Sequence, residues 1–293
     1  MRPLSAILLL LLTAGCATEP TPATDPPAES VALAAPTQEE VDARVSEARE
    51  RLVSSEAGRR VWAAIDAHGG LARWYGNGPL HFRYRYERGG DQPAIDTEQT
   101  VDTWSSRARH VVMPDSTASF GWTGDVAWVQ PAGAELPTNA RFWSLTPYYF
   151  VAMPFVLADP GVNLALDRQM TAEGETYDLV RVTFDAGTGD APDDYYVLLL
   201  DPATDRVGGV RYVVSYPGFF PEGGATPEKL MLYDGAQTAS GITLQEGFRS
   251  FAWTDDGVGE PAAQGTVSEV RFVPDAPDDL FAMPADAAVQ EEM

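Results

Sequence analysis

Leu80-His81-Phe82-Arg83-Tyr84-Arg85-Tyr86-Glu87 is the stretch on which the fold turns. Its apolar residues occupy every second position, with charged or polar ones between, so an extended chain here has one apolar face and one charged face. Working outward, further strands are predicted at 100–105, 109–113, 119–122, 126–130, 177–185, 195–200, 209–216, 229–234, 242–253 and 265–272. Thr123-Gly124-Asp125 joins two of them as a hairpin, and the segment from Asp201-Pro202 to Gly208-Gly209 reads as another connection. Upstream the period is 3.6. Thr37 and Glu40 suit a capping box before Val41, Val45, Ala48 and Leu52, and a second helix carrying Val61, Trp62 and Ile65 ends at Gly69-Gly70. One helix is expected midway, with Thr146 as its cap, Pro147 as its first residue, and Pro154 ending or kinking it. Strands in succession without alternating helices imply a mainly β (α+β) fold built as an antiparallel meander.

The composition sets an address. Cys16 is the single cysteine of 293 residues and follows the apolar run from Leu4 to Leu12, with Arg2 before it and Ala14-Gly15 at its border. Leu11-Leu12-Thr13-Ala14-Gly15-Cys16 resembles the lipobox of bacterial lipoproteins, which implies a signal peptide over 1–15 and acylation of Cys16. Residues 16–36, rich in Pro, Thr and Ala, read as a disordered tether, 37–285 as a single domain, and 286–293 as a flexible tail. The net charge is −23, and cleavage before Cys16 would remove Arg2, the one charged residue of the leader, leaving −24. Such a surface repels phosphate backbones and anionic headgroups. Nucleic acid is therefore excluded as a partner, and membrane attachment falls to the acyl anchor. Arginine accounts for all the basic residues except Lys229.

The order of elements, an N-terminal helix, about ten strands, an inserted apolar helix and the closing Leu280-Phe281-Ala282-Met283-Pro284, resembles the LolA/LolB-type lipoprotein carriers. His68-Gly69-Gly70-Leu71, Ala158-Asp159-Pro160-Gly161-Val162-Asn163-Leu164 and Gly187-Thr188-Gly189-Asp190-Ala191-Pro192-Asp193-Asp194 resemble a family of uncharacterised bacterial lipoproteins associated with that fold. The resemblance implies an open antiparallel β half-barrel wrapped round a few helices, whose inner face can shelter an acyl chain. It also implies a lipid or lipoprotein ligand and a place in the cell envelope; with no aspartate immediately after Cys16, the expected place is the outer membrane, facing the periplasm. No catalytic residue and no cofactor come with it.

Candidate cavity residues are the aromatics Phe82, Tyr84, Tyr86, Trp104, Phe120, Trp122, Phe150 and Phe155, with Trp128 beside them. The same side chains could equally fill an ordinary core. The segment from Pro147 to Leu157 is expected to form a mobile cover over the open end of the barrel. His68 is placed to cap helix carbonyls, His81 lies on a polar strand face, and His110 follows an arginine-rich turn. No second His or Cys stands at ligand spacing, which speaks against zinc. Asp185, Asp190, Asp193 and Asp194 share a glycine-containing loop and are the calcium candidates, although the loop lacks an EF-hand order. Three readings follow: an anchored, non-enzymatic binder of an apolar ligand; a protein-interaction module with a filled core; and an enzyme using the acidic loop 185–194.

Overall fold

The computed structural model describes residues 35–191, 193–277 and 279–290, all within the compact unit Ala32–Met293. The expected leader, Cys16 and most of the expected tether lie outside the described residues. Helices α1 (Gln38–Val53), α2 (Glu56–Ala67) and α3 (Leu71–Gly76) come first. Strands β1 (Leu80–Arg88), β2 (Ile95–Val101), β3 (Ala108–Val112), β4 (Ser119–Trp122) and β5 (Ala127–Gln130) follow, then α4 (Ala140–Val151) and a 3-10 turn (Phe155–Ala158). The remainder is β6 (Val162–Leu166), β7 (Met170–Ala172), β8 (Glu175–Phe184), β9 (Tyr196–Leu200), β10 (Val207–Tyr212), β11 (Lys229–Asp234), β12 (Gln237–Ala239), β13 (Ile242–Leu244), β14 (Gly247–Thr254), β15 (Gly257–Phe272) and β16 (Ala288–Val289).

One open antiparallel sheet runs in the order β16-β5-β4-β3-β2-β1-β15-β14-β11-β10-β9-β8-β6, with β7 added beside β8 and β12–β13 forming a separate hairpin. Two meanders, β1 to β5 and β6 to β14, are thus sewn together where β1 pairs with β15. Because β5 and β6 lie near opposite edges, the chain between them must cross the sheet, and α4 with the 3-10 turn makes that crossing. The alternation in β1 is realised: Leu80, Phe82 and Tyr84 are buried on the inner face, while Arg83 and Arg85 point outward to Asp96. The thirteen strands in the path exceed the expected ten. Short strands at the two edges account for much of the excess, since stretches of two to five residues carry too few alternations to read.

Several expectations shift for identifiable reasons. The Thr37–Glu40 capping box forms, and Val41, Ala48 and Leu52 are the buried stripe of α1. The strand expected at 100–105 ends at Val101, because the Asp102 carboxylate accepts from Trp104 N–H (3.1 Å), Ser105 Oγ and Arg107, folding 102–107 into a turn. The central helix begins seven residues before Pro147, capped by the Asn139 side chain on Phe142 N–H at 2.9 Å. Pro147 sits inside it and leaves the Trp143 carbonyl without its helical donor. His68 is the C-cap of α2 through its backbone N–H, but its ring turns elsewhere: Nδ1 meets the Thr243 carbonyl at 2.7 Å and Nε2 accepts from Val207 N–H at 3.1 Å. The chain after 285 is no loose tail as far as Gln290, since β16 pairs with β5 and Gln290 N–H reaches the Ala127 carbonyl at 2.9 Å.

The segment expected as a mobile cover is core. Phe150, Met153 and Phe155 are buried, Phe155 fully, and its ring stacks on Trp74 at 4.4 Å and 4°. A crossing segment this apolar is held by burying itself on both sides. Residues of α1 to α4 and the inner face of the sheet share one cluster. Leu179, Val197, Leu199, Leu230, Leu232 and Phe251 form a second one on the outer face.

Candidate functional site: an apolar cavity beside the crossing helix

Along α4, Phe142, Leu145 and Tyr149 recur at i, i+3 and i+7 and form one stripe. Opposite stand Val162 of β6, Phe184 of β8, Tyr196 of β9 and Val214 just past β10. Between these walls is a cavity of about 350 Å³, open on one side, within the range of small-molecule sites. Its floor is aromatic: Tyr149 packs against Tyr196 at 5.2 Å and Phe184 at 6.2 Å, and Phe150 meets Tyr212 at 4.8 Å. Pro147 and Pro154 bracket this part of the chain, which turns a continuous helix into a short wall followed by a tight corner.

The rim is polar. Arg141, 9% exposed, reaches Asp190 at 2.6 Å and lies 3.6 Å over the Trp122 ring, so its charge is met on two sides. Asp194 accepts from Ser215 N–H at 2.5 Å, Ser215 Oγ at 2.8 Å and Tyr196 Oη at 3.4 Å. Burial still pushes its carboxyl above the ordinary carboxylate value, against those hydrogen bonds. Asp159, paired with Arg44 at 3.0 Å, is raised likewise by burial. Arg51 donates to the Ala158 carbonyl beside it, so α1 fastens the corner behind the cavity. Among the described residues the buried Tyr149 hydroxyl has no hydrogen-bond partner.

No family model matches the chain, and no curated protein matches it. Among solved structures, a LolA superfamily protein from Nitrosomonas europaea aligns over 78% of this chain and 97% of its own, at 12% identity and a TM-score of 0.50. The fold is LolA-like. A DUF1329 family protein from Desulfovibrio piger aligns over 81% and 97% at 12% identity and a TM-score of 0.49.

Within this LolA-like half-barrel the aromatic candidates separate. Phe150 lines the cavity; Phe82, Phe120 and Phe155 are fully buried in the core, and Tyr84 nearly so. Tyr86 packs on Trp143 and Phe248, Trp104 stands edge-on to Tyr75, and Trp122 lies under Arg141. Trp128 is buried on the outer face with Arg109 over its ring. The four loop aspartates turn to separate places: Asp185 to Asn163 Nδ2 (2.7 Å), Asp190 to Arg141, Asp194 to Ser215, and Asp193 to solvent. The cavity residues Leu145, Tyr149, Phe184, Tyr196 and Val214 escaped sequence reasoning. The i, i+3, i+7 stripe on α4 was the legible signal for Leu145 and Tyr149, and it was masked by placing the helix start at Thr146.

Proposed function

We propose that this protein is a cell-envelope lipoprotein, anchored through acylated Cys16, that binds an apolar ligand, a lipid or the acyl part of a lipoprotein, in the cavity between α4 and β6, β8 and β9. The observation that carries the reading is the cavity itself: an aromatic and aliphatic pocket left open inside an otherwise filled half-barrel. The LolA-like fold supports it as analogy, since fold alone does not assign function. An outer-membrane position facing the periplasm fits the lipobox-like stretch and the anionic surface.

Mass spectrometry of organic extracts from the folded protein tests the reading. A co-purifying lipid in wild type, depleted when Leu145→Trp fills the pocket, is the expected result. An interaction module is favoured instead by the tight inner core and by Phe219, which is 48% exposed against Phe142. That alternative predicts a clean extract from wild type and no effect of Leu145→Trp.

A further inference from the structure

His81, Glu98 and Glu269 come from β1, β2 and β15, and their ligand atoms lie within 4.8 Å of one another. Among the described residues this is the group of His, Cys, Asp and Glu side chains close enough to share an ion. Each arrives by a distinct route. His81 points outward on β1, opposite Thr100, and its Nδ1 lies 3.0 Å from Thr100 Oγ1. When Nδ1–H donates to that hydroxyl, the lone pair resides on Nε2, which is buried and has no hydrogen-bond partner among the described residues. Glu98 faces outward from the adjacent strand, in register with Arg83. Glu269 lies where the β1–β15 register slips between His81 and Arg83, and its φ of +57° belongs to that bulge, which aims its side chain at the same place.

The surrounding charges leave the site available. Arg83 holds Asp96 through two bonds of 2.9 and 2.8 Å and touches Glu269 only at 3.9 Å, so Glu269 can turn to a cation without stripping Arg83 of its partner. Arg271, in register with His81, donates to the Glu269 backbone carbonyl at 3.3 Å.

We propose that His81, Glu98 and Glu269 bind one divalent transition-metal ion, through an imidazole nitrogen and two carboxylate oxygens, with water completing the shell. A nitrogen among the donors favours zinc-like ions over calcium and magnesium. Such an ion would tie β2, β1 and β15 together at the seam between the two meanders.

The test is calorimetric titration of the full chain with Zn²⁺, in high salt and excess Mg²⁺ to occupy the acidic surface. One ion per chain is expected, with affinity weakened about tenfold or more by Glu98→Gln and by Glu269→Gln, and unchanged by the remote Glu260→Gln. Co²⁺ should show ligand-field absorption that His81→Gln abolishes. Glu269 is exposed, so its variant keeps the test valid even where His81→Gln fails to fold. Absent or non-stoichiometric Zn²⁺ binding, or equal binding by Glu269→Gln and Glu260→Gln, would overturn the proposal.

Discussion

His110 is fully buried: its Nε2 donates to the Ser144 carbonyl at 2.9 Å while Nδ1 has no partner among the described residues. Burial pushes its pKa down to about 4. The unfolded chain takes up that proton at about 6.5. Between the two values only the unfolded state is protonated, so stability is full above the higher one and drains as pH falls toward the lower, by at most about 3 kcal/mol. Urea unfolding at pH 7 and pH 4.5 should show this loss in wild type and a smaller one in His110→Gln; equal losses would contradict the assignment. Tyr149 supplies a second prediction. Its hydroxyl is a buried orphan, so Tyr149→Phe should leave stability unchanged or raise it by about 1 kcal/mol in the same assay, and a clear loss would reveal an unseen partner. Arginine was legible in the sequence as a bias, but its use was not. Arg44, Arg141, Arg181 and Arg211 lie 3.6 to 4.7 Å over aromatic rings, a role that a compact ammonium fills less well because it is more strongly hydrated. Which arginine meets which ring depends on tertiary packing and leaves no local pattern.

The elements divide by how local their causes are. β1 was readable because its apolar and polar residues alternate from Leu80 to Glu87, and α1 because its capping box is contained in four residues. The start of α4 was misread because Asn139 and Thr146 are both competent caps, and Thr146 instead bonds back to the Phe142 carbonyl at 2.6 Å inside the helix. The pairing of β1 with β15, which brings Leu80 opposite Phe272, has no local signature at all. Its tolerance for bulk can be tested at Gly265, where an added Cβ would stand 2.3 Å from the Phe248 ring and 2.9 Å from the Arg85 carbonyl. Gly265→Ala should therefore destabilise by about 1–3 kcal/mol in chemical denaturation. An unchanged midpoint would mean the seam is looser than described. Phe155→Ala removes the stack on Trp74 and should cost about 3–5 kcal/mol by the same measurement, as a core change does. A cover would show little loss, so a cost below about 1 kcal/mol would return the corner to the role first expected of it.

At the scale of the whole molecule the half-barrel and its LolA-like order were legible, because element sequence survives where residue identity does not. The cavity's position was not, because it depends on how far α4 stands from β6, β8 and β9 once the corner at Phe155 is packed. Under the proposed acyl anchor, Cys16→Ser should release the protein from washed membranes, since a net charge of −23 repels anionic headgroups. Mature protein that stays on the membrane would contradict the acyl anchor. The ligand claim rests on the pocket alone, and titration with a fluorescent fatty acid tests it most directly. Wild type should bind one probe per chain, and Leu145→Trp should lose that binding while its circular dichroism and urea midpoint stay close to wild type. Binding of equal strength in both proteins, or none in either, would contradict the account.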